Sequence, residues 1–399
     1  MQIKRQREDF VVRELSQFPV TPADNGRGGV HAVYRLTKSG LGTPEAVSEI
    51  LSTWNLRRRQ LSYGGLKDRH AVTEQTITIF HGPTTDLERT GFTLTYVGQA
   101  AREFTAKDIE ANQFEITLRE LQPAVAQQMQ QLLQSATLAV PNYFDEQRFG
   151  SVGVSGRFIA LPWCLGDYEQ ALFLAIAEVN RHDRSDDTLQ KEILREHWGD
   201  WQACKDRLDR SHRRSIVTYL VDHPSGFKKA AALIRQDLRS LYVSAFQSKL
   251  WNEIVSRTLA QRVPAGEQLQ LASIAGSWVF PKRLEPELFD ELQRTAVPLP
   301  SGRQTQWPPS LLEHLESVLS EMGIERHQLR FSHPRDVFFS RGLRDMLLVP
   351  QMDSSELGDD EYGRPGTNKL RLVFRLQAGQ YATMLIKGLE LLAAADSVQ

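Results

Sequence analysis

Apolar residues alternate with polar ones in several separated stretches, and this two-residue period constrains the fold more than any other feature. Ile77 and Ile79 alternate with threonines, followed by Phe92, Leu94 and Tyr96, then Phe114, Ile116 and Leu118, and far downstream Leu372, Phe374 and Leu376. Each run predicts a half-buried strand. The link from His81 to Gly91 carries turn residues rather than a crossover helix, so a mostly antiparallel sheet is expected. Upstream, Thr43-Pro44-Glu45 reads as a helix start with a capping hydroxyl and a proline in the first turn. Val47, Ile50, Leu51 and Trp54 then follow at helical spacing. Helix and strands within one unit make the fold class α+β.

From about Ser151 to Pro300 the period changes. Charged helical stretches dominate, the longest from Arg235 to about Leu259, which predicts a separate, mostly helical domain. After the proline-rich break at Val297-Pro298-Leu299-Pro300 and Gln306-Trp307-Pro308-Pro309, a further helix is expected from Ser310 to Met322. Asp353 to Asn368, with Asp359-Asp360-Glu361, reads as an acidic surface loop. A chain of 399 residues that is 41% hydrophobic has length for two or three domains, or one domain with a large insertion.

The segment Tyr63-Gly64-Gly65-Leu66-Lys67-Asp68-Arg69-His70-Ala71-Val72-Thr73 sets one carboxylate between two cations behind a Gly-Gly turn. Gly64 and Gly65 allow positive φ and close approach of a ligand backbone. Lys67 and Arg69 are the residue types that pair with phosphate oxygens, and their charge favours the ionised form of Asp68, the candidate nucleophile. On its own such a loop is most often a solvated turn with local ion pairs worth little.

This run resembles the active-site signature of the TruD family of tRNA pseudouridine synthases. Asn142-Tyr143-Phe144-Asp145-Glu146-Gln147-Arg148-Phe149-Gly150 is similar to the second motif of that family, and Ser244-Ala245-Phe246-Gln247-Ser248-Lys249-Leu250-Trp251-Asn252 resembles its Ser-Ala-x-Gln-Ser helix. Shorter echoes are Glu8-Asp9-Phe10-Val11-Val12, Asn112-Gln113-Phe114, Leu347-Leu348-Val349-Pro350 and Gly379-Gln380-Tyr381-Ala382-Thr383, in the family's order along almost the whole chain. The resemblance implies a pseudouridine synthase-like mixed, mostly antiparallel sheet with flanking helices, interrupted by a mainly helical TRUD-type inserted domain. The expected boundaries are 1–150 and 306–399 for the catalytic domain and 151–305 for the insertion, with the last strand returning to the first sheet.

The implied activity isomerises a tRNA uridine, uridine 13 in the D-arm for bacterial-type members. Asp68 attacks C1′, or assists elimination to a glycal; the sequence leaves both routes open. Phe114 is expected to stack the extruded base, while Asn112, Asn142 and Gln147 line the pocket and Arg148 pairs with phosphate or with Glu146. By pattern alone Phe114 more often fills a core with Ile116 and Leu118, and the second motif equally forms a polar junction between domains. Ser244, Gln247, Ser248 and Trp251 form a stripe that either orients the active-site loop or is solvated. Two positions depart from the family pattern: Ala111 in place of glycine and Lys387 in place of arginine.

Composition narrows the partners. A formal net charge of −1 excludes attachment to nucleic acid by bulk charge, so tRNA must be met by local patches. Candidates are Arg57-Arg58-Arg59, then Lys205, Arg207, Arg210, Arg213 and Arg214, which face only Asp206 and Asp209 within their run, and Lys228-Lys229; each is equally a solvated face. Two cysteines, Cys164 and Cys204, exclude a disulfide framework, the histidines lack metal-ligand spacing, and no phosphate-binding glycine motif is present, so neither a metal nor another cofactor is expected. A soluble, unprocessed, cytoplasmic monomer is expected, since neither a signal-peptide core nor a membrane-length apolar run is present. Two other readings stay open: a catalytically silent RNA-binding or tRNA-folding protein on the same scaffold, and an N-glycoside hydrolase.

Overall fold

A computed structural model of the chain describes residues 1–22, 28–135, 137–181, 183–331 and 337–396. These form two compact units, Met1–Leu138 with Val349–Gln399, and Ala139–Leu348.

The first unit is built on an eleven-stranded sheet. From one edge its order is Gln351–Asp359, Asn368–Gln377, Ala111–Leu121, Phe10–Leu15, Val72–Phe80, His31–Lys38, Phe92–Ala100 and Thr21–Pro22, with three short strands beside this path. Pairing is antiparallel except between Phe10–Leu15 and Val72–Phe80. The alternating residues do point inward: Tyr34, Leu36, Ile77, Ile79, Leu94, Ile116, Leu118, Leu372 and Phe374 are all fully buried. Helix Thr43–Thr53 covers one core with Ala46, Val47 and Ile50. Each such fully buried aliphatic side chain contributes roughly 1.5–3 kcal/mol.

The strands on either side of His81–Gly91 are bridged by His31–Lys38, which lies between them and pairs antiparallel with both. Two local expectations are corrected here. Of the expected acidic loop Asp353 to Asn368, residues 360–367 are the connecting turn, but 353–359 lie in the edge strand Gln351–Asp359. None of its side chains is buried, which is why no apolar period marks it. Register with Asn368–Gln377 and ion pairs from Arg375 to Asp353 (2.6 Å) and from Arg371 to Glu356 (3.1 Å) hold it instead. Finally, the helix expected to be capped by the Thr43 hydroxyl has Gly42 at its N-cap, and the hydroxyl is used elsewhere.

The second unit is mostly helical around Gln236–Arg262, whose Phe246, Leu250, Trp251 and Ile254 are fully buried. A hairpin, Gln268–Ser273 with Gly276–Pro281, supplies part of its packing. The unit is wider than the expected 151–305 span. Val140–Pro141 pairs with Leu347–Leu348, Ala296–Pro298 pairs with Leu343–Asp345, and helix Pro309–Glu321 packs on Gln236–Arg262. Both cysteines are buried here, and burial pushes the Cys164 thiol up to about 12 and that of Cys204 up to about 11.

Candidate active site

The loop between strands Leu61–Tyr63 and Val72–Phe80 is held from below by three buried side chains. The Gln75 amide donates to the Gly65 carbonyl (3.1 Å), and the Thr43 hydroxyl accepts from the Lys67 N–H (3.1 Å) while donating to Gln75 Oε1 (2.8 Å). Lys38 Nζ donates to the carbonyls of Asp68 (2.8 Å) and Lys67 (3.3 Å). Neither Gly64 nor Gly65 takes the positive φ expected of it. Gly64 is required by packing, since a Cβ there would lie 2.6 Å from Ile109, whereas a Cβ on Gly65 would meet nothing within 4 Å.

Asp68 sits on this braced loop with its side chain 23% exposed. One carboxylate oxygen pairs with Lys4, and the other accepts the N–H of His70 at 2.9 Å. Burial alone would raise its pKa, but the hydrogen bonds from Lys4 and His70 and their nearby charges outweigh it and hold the carboxyl below the usual range. Lys4 reaches Asp68 from a left-handed backbone conformation, φ 64°, that non-glycine residues rarely adopt. Its ammonium also lies 4.3 Å from the centre of the Phe10 ring. Phe10 meets Phe114 edge-on at 6.4 Å, and Phe114 stacks on Phe374 at 5.5 Å and 20°. Asp68, Lys4, Phe10 and Phe114 therefore form one connected line. Phe114 itself is 8% exposed.

Lys67, expected to meet phosphate, is turned inward. Its side chain is 8% exposed, paired with Glu14 at 3.0 Å and donating to Asn112 Oδ1 at 2.5 Å, so its charge is compensated within the unit. Arg69 stays at the surface, paired with Glu45. Glu14 is a second buried carboxylate, but Lys67 and the Thr76 N–H (3.0 Å) engage it. Among the described residues no carboxylate is hydrogen-bonded to Asp68 and no group of three or more His, Cys, Asp or Glu could hold a metal ion. The line from Asp68 to Phe114 thus offers one ionised carboxylate beside an aromatic cluster, suited to nucleophilic attack on an electrophilic carbon rather than to paired acid–base hydrolysis.

Asn142, Gln147 and Arg148 belong to the second unit. Asn142 is buried, donating to the Asp345 carbonyl (3.0 Å) and accepting from Arg344 (2.6 Å), so both ends of its amide are engaged there. Arg148 donates to Ser244 Oγ at 2.9 Å, and Gln147 is exposed. The expected stripe is structural: Gln247 donates to the carbonyls of Pro300 (2.8 Å) and Ser340 (2.7 Å), and Trp251 to that of Val297 (3.2 Å). The next residue, Asn252, brackets Phe144, accepting its N–H and donating to its carbonyl, both at 2.9 Å.

The full length of the pattern is shared with known proteins. The sequence model of tRNA pseudouridine synthase D (TruD) matches residues 1–389. The chain belongs to the TruD family. By that membership it is an isomerase of the tRNA pseudouridine synthase class. It is 26% identical over 402 residues to "Probable tRNA pseudouridine synthase D 1" of Methanococcus maripaludis, covering 97% of this chain and 98% of that protein. It is also 26% identical over 399 residues to tRNA pseudouridine synthase D of Leptospira interrogans, covering 98% and 96% respectively. The crystal structure of the "Putative tRNA pseudouridine synthase D (TruD)" of Methanosarcina mazei shares the fold, with a TM-score of 0.71 at 22% identity over 98% of this chain and 94% of that one.

Other features of this TruD chain have a settled place. Ala111 lies in an extended strand, where alanine costs no backbone strain, and Lys387 lies in helix Ala382–Asp396. Of the basic clusters, Arg57 and Arg59 are exposed while Arg58 donates to the Leu61 carbonyl at 2.6 Å. Arg207 and Arg210 are exposed, Arg214 donates to the Lys205 carbonyl (2.9 Å), and Lys228 and Lys229 lie over the rings of Tyr168 and Tyr219. Among the described residues no helix is long and apolar enough to cross a membrane. Sequence reasoning missed Lys4, Glu14, Lys38, Thr43 and Gln75 as site residues. Lys38 carried a signal: it continues the inward phase of Tyr34 and Leu36, where a charged residue is out of place. Lys4 carried none, since its partner is distant in sequence.

Proposed function

We propose that this enzyme isomerises uridine 13 in the D-arm of tRNA to pseudouridine, with Asp68 as nucleophile. The observation that carries this reading is an aspartate held ionised by Lys4 and the His70 N–H on a loop whose backbone is braced by Thr43, Gln75 and Lys38. The isomerisation breaks the N1–C1′ bond and forms C5–C1′; N1 gains a proton and C5 loses one, so no redox partner enters. An ionised carboxylate serves either the covalent route or the glycal route. Phe114 supports the target base as an aromatic neighbour, with Asn112 beside it holding Lys67 in place. Stacking of this kind contributes about 1–3 kcal/mol per base. Gln147, exposed in the second unit, and Asn142, whose amide orders its segment there, are assigned to contact with the tRNA. Phosphate contacts fall to Arg69, Arg148 and the exposed arginines; each adds to the salt dependence of binding without reading sequence. The enzyme acts as a cytoplasmic monomer without a cofactor.

The test uses tRNA transcripts tritiated at uridine C5. Wild type is expected to release one tritium per transcript with no free uracil, Asp68→Ala none, and a transcript with cytidine at position 13 none. Release of free uracil would mean a hydrolase. Binding without any tritium release would leave an RNA-binding protein and end the enzymatic reading.

A further inference from the structure

We infer that Lys38 is a positioning residue of the reaction: its buried ammonium clamps the main chain of the nucleophile loop and holds Asp68 productively only while protonated. This rests on Asp68 being the nucleophile. Lys38 is the last residue of strand His31–Lys38 and is 1% exposed, on the same inward face as Tyr34 and Leu36. Its Nζ donates to two consecutive carbonyls, Lys67 at 3.3 Å and Asp68 at 2.8 Å. Two bonds to adjacent peptide groups fix the chain on both sides of the Asp68 Cα, and so fix the direction in which the carboxylate leaves the loop.

A buried cation is costly, and an apolar residue in this strand phase would cost less for stability alone. Among the described residues no ion pair joins Lys38 to a carboxylate to compensate it; the acceptors are the loop carbonyls themselves. Burial pushes its pKa down to about 8, against the attraction of Asp68 and Glu45 and with the repulsion of Lys67 and Arg69. Its register partners, Thr73 and Phe92, bring no charge from the flanking strands. A neutral amine makes weaker bonds to the carbonyls than an ammonium, so the clamp loosens as pH rises through this range. The sign is that of a lysine: the competent form exists below the titration and is lost above it. Asp68 is held ionised chiefly by Lys4 and His70, so Lys38 acts on placement rather than on charge.

The test measures tritium release from pH 6 to pH 9.5 for wild type, Lys38→Met and Lys38→Gln, with thermal melts of each. A misplacement near 1 Å costs on the order of 100-fold in rate, so Lys38→Met is expected to lower kcat by about 30- to 100-fold with KM within about three-fold. Lys38→Gln keeps a neutral donor and is expected to fall between the two, with a flat profile where wild type declines. If Lys38→Met does not fold, the profile of Lys38→Gln against wild type decides. An alkaline decline shared by both belongs to the RNA and overturns the inference, as does a wild-type kcat in Lys38→Met or a loss confined to KM. Inactivity of wild type on every tRNA would instead overturn the assignment of function.

Discussion

Lys4 is the residue on which the ionisation of Asp68 turns, and Lys4→Met isolates it by keeping the length and apolar stem of the side chain. The ion pair is about three-quarters buried, with side-chain exposures of 24% for Lys4 and 23% for Asp68, so solvent screens it only partly. A hydrogen bond to a charged group contributes roughly 1.5–3 kcal/mol. Taking the lower half of that range for residual screening, a loss of about 1.5–2 kcal/mol in the transition state lowers kcat/KM by about 10- to 30-fold. In wild type the carboxyl is held below its usual range, so the folded-state benefit of ionised Asp68 is complete above about pH 4 and is lost as pH falls through the folded value. Without Lys4, burial is less opposed and the acid limb of the rate profile moves toward neutral pH. Lys4→Gly supplies the control. Its backbone already sits at φ 64°, where a side chain costs about 1–2 kcal/mol, while glycine gives back about 0.5–1 kcal/mol through unfolded-chain entropy. Lys4→Gly should therefore be more stable than Lys4→Met by up to about 1.5 kcal/mol and be no more active. Tritium release from pH 4 to 8, with denaturant unfolding, reads both. Wild-type kcat/KM and an unmoved acid limb in Lys4→Met would refute the reasoning.

Two further outcomes concern the scaffold. Asn252→Ala removes two buried side-chain hydrogen bonds to the Phe144 main chain and should cost about 1–3 kcal/mol in chemical denaturation. Arg119→Met breaks a buried network with Asp9 (2.8 Å) and Asp360 (2.9 Å) and should cost about 3–5 kcal/mol at neutral pH. Asp360 is held low despite its burial, by the Glu120 N–H and Arg119, so the penalty of the variant should shrink as pH falls below about 4; a penalty independent of pH would contradict that account.

Much of this chain was legible because its signals are local. Period-two alternation places side chains on a strand face wherever the strand lies, so Ile77, Ile116 and Phe374 were readable as inward. Strand order was not readable: His31–Lys38 lies between the two strands that the His81–Gly91 link joins, and pairing depends on the whole sheet. The edge strand 351–359 was missed because an edge held by register and ion pairs needs no apolar face. At the site, Asp68 was singled out as the candidate nucleophile by its motif, and Lys67 was read as a phosphate ligand where folding places Glu14 beside it.

By itself the sequence determined that a strand-rich part and a helical part share one chain and that the motifs are those of a TruD protein, and it singled out Asp68 as the candidate carboxylate. Those properties are carried by period and by short motifs, which survive without knowledge of the fold. Tertiary structure decided which cation faces that carboxylate. Three lysines come near it, and they differ only in what the fold sets against them: Lys4 meets the carboxylate, Lys38 the loop carbonyls, and Lys67 Glu14. Charge interactions depend on distance and burial rather than on position in the chain, so only folding could assign the three their separate roles.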